Sequence, residues 1–212
     1  MKIKMDKRAL IALTVAGCIA GIFAFFNTSK SKQLPIIAIA NYGPHASLEA
    51  SIRGVKNELA ANGFVENETV RYEVADVGFD PSLIPQMITK LKESHPKVMV
   101  VKTTPVAQFA RGKIHDIPLV YCDILDPVEA GLIKTRSQSN GNITGSSDQE
   151  DYEPFLNFAK ELFPTAKTVG VLHATSESND TAMLKMMQKA AVRTGWKMVG
   201  VPVDQARDIP MR

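Results

Sequence analysis

The chain has 212 residues, 45% of them hydrophobic and 22% charged, which is enough apolar content for a real core and ordinary globular usage. Its formal charge of +3 gathers partly in Lys2, Lys4, Lys7 and Arg8, and no later basic stripe interleaves with aromatics, so nucleic-acid binding is disfavoured. The two cysteines, Cys18 and Cys122, lie in segments unsuited to pairing and show no metal-type spacing.

Ala9 to Phe26 is a run of eighteen residues without a charge, at the lower limit for a membrane-spanning helix and longer than a usual signal-peptide core. The basic residues precede it, which keeps the start in the cytoplasm and exports the rest. Val15-Ala16-Gly17-Cys18 resembles a lipobox, which makes Cys18 a candidate lipidation site. A retained anchor, a lipoprotein and a cleaved leader all remain open. The polar stretch Asn27 to Gln33 is a tether, so the expected division is a leader and tether over 1–33, a first α/β lobe over 34–147 and a partial second lobe over 148–212.

Ile36 to Ala40 reads as a buried strand, and Leu48, Ile52, Val55 and Leu59 as one face of a helix ending at Asn62-Gly63. Thr69 to Val74 reads as a second strand. Asp80-Pro81 then opens a helix carrying Ile84, Met87, Ile88 and Leu91. The apolar run Val98 to Val101 ends in Lys102-Thr103-Thr104-Pro105, and Ile117 to Tyr121 leads through Cys122-Asp123 into Asp126-Pro127. Each reads as a strand followed by a helix, with Thr104 or Asp126 as N-cap and proline at the first helical position. Gly141 to Gly145 reads as a short strand. A helix from Asp148 with Phe155, Phe158, Ala159 and Leu162 follows, then a buried strand over Thr168 to Leu172. A helix with Met183, Met186, Met187 and Ala190 on one face ends at Gly195, and Lys197 to Val203 is the last strand. Regular alternation of strand and helix means a parallel sheet of right-handed units, an α/β fold.

Nucleophile elbows, phosphate loops and metal-ligand spacings are absent from the sequence, so no cofactor, no metal and no catalytic residue is expected. Cys122 reads as a small residue filling a strand end. The chemistry sits instead in polar loops where strands give way to helices. These hold Asn41-Tyr42 with His45, Thr103-Thr104, Asp123 with Asp126, Ser146-Ser147-Asp148, and Ser176 to Asn179 with Ser178. Hydroxyls and helix N-termini can hold a carboxylate, and a carboxylate side chain can hold an ammonium group, which suits a small zwitterion such as an amino acid. The competing explanation is that each of these residues merely caps a helix. Tyr42 adds a stacking face.

Several ordered motifs carry a family resemblance. His45-Ala46-Ser47-Leu48-Glu49, Thr104-Pro105-Val106-Ala107-Gln108, Asp126-Pro127-Val128 with Ala130-Gly131-Leu132, and Gly141-Asn142-Ile143-Thr144-Gly145 with Ser147-Asp148 resemble motifs of the ABC-transporter substrate-binding proteins of the tryptophan/tyrosine-binding type. The resemblance implies a type I periplasmic-binding fold with two α/β lobes, a solute in the cleft between them, a membrane permease as partner, and action outside the inner membrane. It assigns the ligand-facing role to His45, Thr103, Thr104, Asp126, Ser147, Asp148 and the Ser176 to Asn179 loop, with a hinge near Thr144 to Ser147. Lys102, Leu125 and His173-Ala174 depart from the family pattern. So does the length, which leaves the second lobe short and predicts weak closure. Two other readings remain: an anchored sensor or scaffold presenting an open sheet edge, and an envelope hydrolase using Cys122 or Ser147.

Overall fold

The computed structural model describes residues 33–139, 141–203, 207 and 209. The expected apolar N-terminal helix and Cys18 lie outside these residues. From Pro35 onward the described residues belong to one compact unit.

Strands β1 (Ile36–Ala40), β2 (Arg71–Ala75), β3 (Val98–Lys102), β4 (Leu119–Ile124) and β5 (Ile143–Ser147) form one parallel sheet in the order β2-β1-β3-β4-β5. Three helices serve this sheet: α1 (Ala46–Ala61), α2 (Ile84–Glu93, entered through a 3-10 turn at Pro81–Leu83) and α3 (Thr104–Lys113). Alternation along each strand assigns the faces. Ile37, Ile39 and Val100 pack with Ile52 of α1 and with Val70 and Tyr72. Ala38, Ala40, Met99, Val101, Leu119 and Tyr121 pack with Ile84, Met87, Ile88 and Leu91 of α2 and with Val106, Ala107 and Ala110 of α3. Both faces are therefore covered, which is why the strands read as continuous apolar runs.

The remaining elements are α4 (Tyr152–Leu162), β6 (Thr168–His173), α5 (Ser178–Thr194) and β7 (Lys197–Pro202). β6 and β7 make a separate two-stranded parallel sheet. Its core is small: Leu156, Ala190, Ala191 and Trp196, with the Trp196 indole N–H donating to the Leu156 carbonyl at 3.0 Å.

Five expectations need correction. The helix expected after Asp126 is a turn: Asp126 Oδ1 accepts from the Val128 and Glu129 N–H groups at 3.0 and 3.1 Å, as a cap would, but Gly131 at φ +71° ends the winding after one turn. At the other junction the N-cap is Thr103 rather than Thr104. The helix expected from Asp148 begins at Tyr152, capped by Asp151, and exposes its phenylalanines; only Leu156 is buried. β6 is likewise half-exposed, because a two-stranded sheet covers one face at most. Thr144 to Ser147, expected as a hinge, is ladder-bonded to β4. The span without regular structure is Asp148 to Asp151.

β5 crosses unusually close to β4. A Cβ placed on Gly145 would lie 2.0 Å from the Tyr121 carbonyl oxygen and 2.6 Å from its ring. A backbone contact of that kind has no rotamer to relieve it. Gly145→Ala is expected to destabilise the protein by about 2–3 kcal/mol, as overpacking in a close-packed interior does, and urea denaturation followed by far-UV circular dichroism measures it. A loss below about 0.5 kcal/mol, the ordinary surface effect, would show that β5 can move away.

Candidate functional site

The winding of the first sheet reverses between β1 and β3, the topological switch point at which open α/β sheets form a crevice beyond the carboxyl ends of their strands. A cleft of about 420 Å³ lies there, within the usual size of small-molecule sites. One wall comes from the ends of β1, β3 and β4, with Tyr42, Thr103, Thr104 and Asp123; the other comes from the start of α5, with Glu177, Asn179, Asp180 and Met183. Asp148, Glu150 and Tyr152, on the span between the sheets and the start of α4, complete the lining.

Direct contacts join the walls. The Tyr42 hydroxyl donates to Glu177 Oε1 at 3.3 Å, and the Ser178 hydroxyl donates to Gln108 Oε1 at 3.3 Å. Lys185 pairs with Glu129. Tyr42 also meets Phe79 edge to face, with ring centroids 5.8 Å apart at 86°. That arrangement suits the ring quadrupoles. Gly43 leaves room for it, since a Cβ there would lie 2.7 Å from three Phe79 ring carbons.

The wall at β3 and β4 is held from behind by a buried cation. Lys102 is 0% exposed and reaches toward α1, where its ammonium donates to the Ser51 hydroxyl and to Asp123 Oδ2 at 2.5 Å. Ser51 also donates to Asp123 Oδ2 at 3.0 Å. Asp123 sits where the β4–β5 register shifts between Tyr121 and Ile124, and its backbone is left-handed at φ +56°. Irregularities of this kind re-aim a side chain; here the carboxylate is shared between the lysine behind and the cleft in front. Next to it, Cys122 is a free thiol pushed up to about 12, chiefly by burial, against the opposing pull of Lys102. At neutral pH it is protonated, the unreactive form.

Thr103 has φ +66° and ψ 157°, a conformation otherwise left to glycine. Its carbonyl accepts the first helical bond, from Ala107 N–H at 3.1 Å, but its hydroxyl makes no capping bond and is buried without any partner. Thr104, 5% exposed, lines the same cleft. Capping therefore does not account for the Thr103 hydroxyl. It does account for His45, whose ring nitrogen accepts from Ser47 N–H at 3.3 Å at the start of α1.

Of the residues singled out in the sequence, Tyr42, His45, Thr103, Thr104, Asp148 and Asn179 line the main cleft. Asp126 and Ser178 line a smaller recess of about 180 Å³ that shares Thr104 and Asn179 with it. Ser147 lines neither, and its hydroxyl accepts from Arg136 at 3.4 Å. Sequence reasoning missed Phe79, Glu150 and Tyr152, which reach the cleft from a turn and a connecting span without a strand-end signature. It also read Met183 as core, whereas the residue faces the cleft. Lys102 was noted only as a departure; a lone lysine closing a run of valines beside a serine-bearing helix was the available signal for a buried pair.

Two stability outcomes follow from this geometry. Asp123→Ala leaves a buried ammonium unpaired and is expected to cost about 3–5 kcal/mol, whereas replacing both partners, Lys102→Met with Asp123→Asn, leaves no buried charge and is expected to cost much less. Equal losses in urea denaturation would mean that the pair itself holds the wall. Thr103→Gly relieves strain and removes an unpaired hydroxyl, so about 1 kcal/mol of added stability is expected after the glycine entropy cost; a lowered melting midpoint would contradict the strain.

Comparisons with known proteins agree on the family. The family model of the ABC transporter substrate binding protein matches residues 18–212. A tyrosine-binding protein of Clostridioides difficile is 26% identical over 181 residues, covering 85% of this chain and 52% of that protein. An ABC domain from Streptococcus pneumoniae, solved in complex with L-Trp, superposes with a TM-score of 0.78 at 26% identity over 84% of this chain and 60% of that one. A conserved domain protein from Vibrio cholerae gives the same TM-score, identity and coverage. The chain thus spans about half the length of the curated relative it matches. The fold is the α/β type I periplasmic-binding architecture, and the chain belongs to the ABC transporter substrate binding protein family.

Proposed function

We propose that this chain is the solute-binding component of an ABC importer, non-enzymatic, taking an amino acid or related small molecule into the cleft between its two sheets. The observation that carries the reading is a cleft of binding-site size at the switch point, lined by Thr104 and by Thr103, whose buried hydroxyl is not spent on capping. The relatives point the same way: one is a tyrosine-binding protein and another was solved with L-Trp.

In this reading Tyr42, His45, Thr103, Thr104, Asp148 and Asn179 contact the solute, with Asp126 and Ser178 around the adjoining recess; Ser147, outside both, acts only through its neighbour Asp148. The solute carboxylate is held by the threonine hydroxyls at the start of α3, and its ammonium by the carboxylates opposite. Residues 34–147 and 148–212 act as two lobes that close by bending over Asp148 to Asp151, and residues 1–33 carry the chain across the inner membrane to a permease on its outer side. The walls already touch through Tyr42 and Glu177, which favours binding despite the short second sheet.

A thermal-shift screen of amino acids on the full-length chain in mild detergent tests the reading. A solute present at 100 times its Kd stabilises the folded state by about 2.7 kcal/mol, a shift of several degrees. A flat screen, together with calorimetry that detects no heat, would reject it and leave the anchored-scaffold alternative.

A further inference from the structure

The lining of the main cleft carries charge of one sign. Asp123, Asp148, Glu150, Glu177 and Asp180 line it, and among the described residues no lysine or arginine does. Asp123 is matched by Lys102 from behind. The donors against two of the others are neutral: among the described residues the Tyr42 hydroxyl reaches Glu177 at 3.3 Å and Ala174 N–H reaches Asp180 at 2.7 Å. Such donors satisfy lone pairs without cancelling charge. Asp148 registers the result, its carboxyl being raised above the usual range by burial and by the charges of Asp123 and Glu150. His45 is the single titratable base in the lining, and its ring is engaged with Ser47.

An amino acid with a neutral side chain brings one ammonium and one carboxylate, so it leaves the excess negative charge of the lining unbalanced. A second ammonium would offset that excess. The cleft also has what the rest of such a solute needs. The unpaired Thr103 hydroxyl and Thr104 offer partners for a carboxylate where no cation does. Leu48, Leu125 and Met183 line an aliphatic stretch, and the Tyr42, Phe79 and Tyr152 rings can face an ammonium.

We propose that the cleft selects a basic amino acid, a solute with a second ammonium on its side chain, over amino acids with neutral side chains. The proposal rests on the solute-binding reading and names its substrate class.

Isothermal titration of the full-length chain in mild detergent with L-lysine, L-norleucine, L-tyrosine and L-tryptophan tests it, because norleucine keeps the lysine stem without its ammonium. Lysine is expected to bind at least about tenfold more tightly than the other three, with the ratio shrinking as salt screens the cleft. Asp148→Asn is expected to reduce that preference severalfold while the solute-free melting midpoint holds or rises, since a like charge is removed. Tighter or equal binding of norleucine, tyrosine or tryptophan would overturn the charge selection and leave the solute-binding reading standing. No binding by any of the four, in a protein that melts cooperatively, would overturn both.

Discussion

A lysine with no exposed surface fixes the geometry on which the cleft depends. Lys102 closes β3 among valines, and its ammonium reaches Ser51 on α1 and Asp123 at the end of β4. Three elements that meet at the switch point of the sheet are thereby tied to one charged centre. Buried ion pairs seldom add net stability over an apolar replacement; what this one does is orient. The left-handed backbone of Asp123 costs free energy on its own and persists because the shift in strand register and the charge partner together over-determine it. Thr103, adjacent to Lys102, is held in a still rarer conformation, with its hydroxyl left unpaired. Strain at two neighbouring strand ends, facing one cleft, is the pattern expected where a site is shaped before its ligand arrives.

Capping and ligand binding draw on the same residue types, and hydrogen-bond geometry separates them here. His45, Asp80, Asp126 and Asp151 each accept a backbone N–H two residues on, the ordinary use of such side chains at turns and helix starts. Thr103 occupies an N-cap position and does not cap. Glu177, also an N-cap, turns its carboxylate across the cleft to Tyr42 instead of to its own helix. Residues that forgo a local bond worth about 1 kcal/mol are the ones whose side chains point into shared space.

The first sheet was nearly all legible in the sequence, because strands covered on both faces are written as unbroken apolar runs and their helices carry clean spacing at Ile84, Met87, Ile88 and Leu91. The second sheet was less so. Phe155, Phe158 and Leu162 are helically spaced and predict a buried face, yet each is more than half exposed. Periodicity reports which face is apolar, not whether anything packs on it. The turn after Asp126 was misread because the cap signal is local: Gly131, in a left-handed conformation, ends the winding after one turn, and Leu132 and Ile133 enter the core without continuing a helix. Of the candidate site, the strand-end residues were legible from junction logic. Phe79, Glu150 and Tyr152 were not, since they are placed by a turn, a connecting span and the first residue of a helix, which leave no strand-end signature.

The contrast between the two sheets bears on how the cleft can work. One wall stands on a five-stranded sheet with helices on both faces, the other on two strands and two helices around Leu156 and Trp196. Local stability follows buried apolar contact, so the second wall opens at lower free energy than the first. The few contacts that bridge them, Tyr42 with Glu177, Ser178 with Gln108 and Lys185 with Glu129, are polar and mostly exposed, and exposed pairs contribute little each. A cleft closed by such contacts is held weakly in the absence of solute. A ligand that neutralises the charge between the walls would then supply the difference between the open and closed arrangements. A conformational equilibrium can be moved only by a ligand with differential affinity for its two states, and under the proposed charge selection the carboxylates between the walls are where that differential would arise.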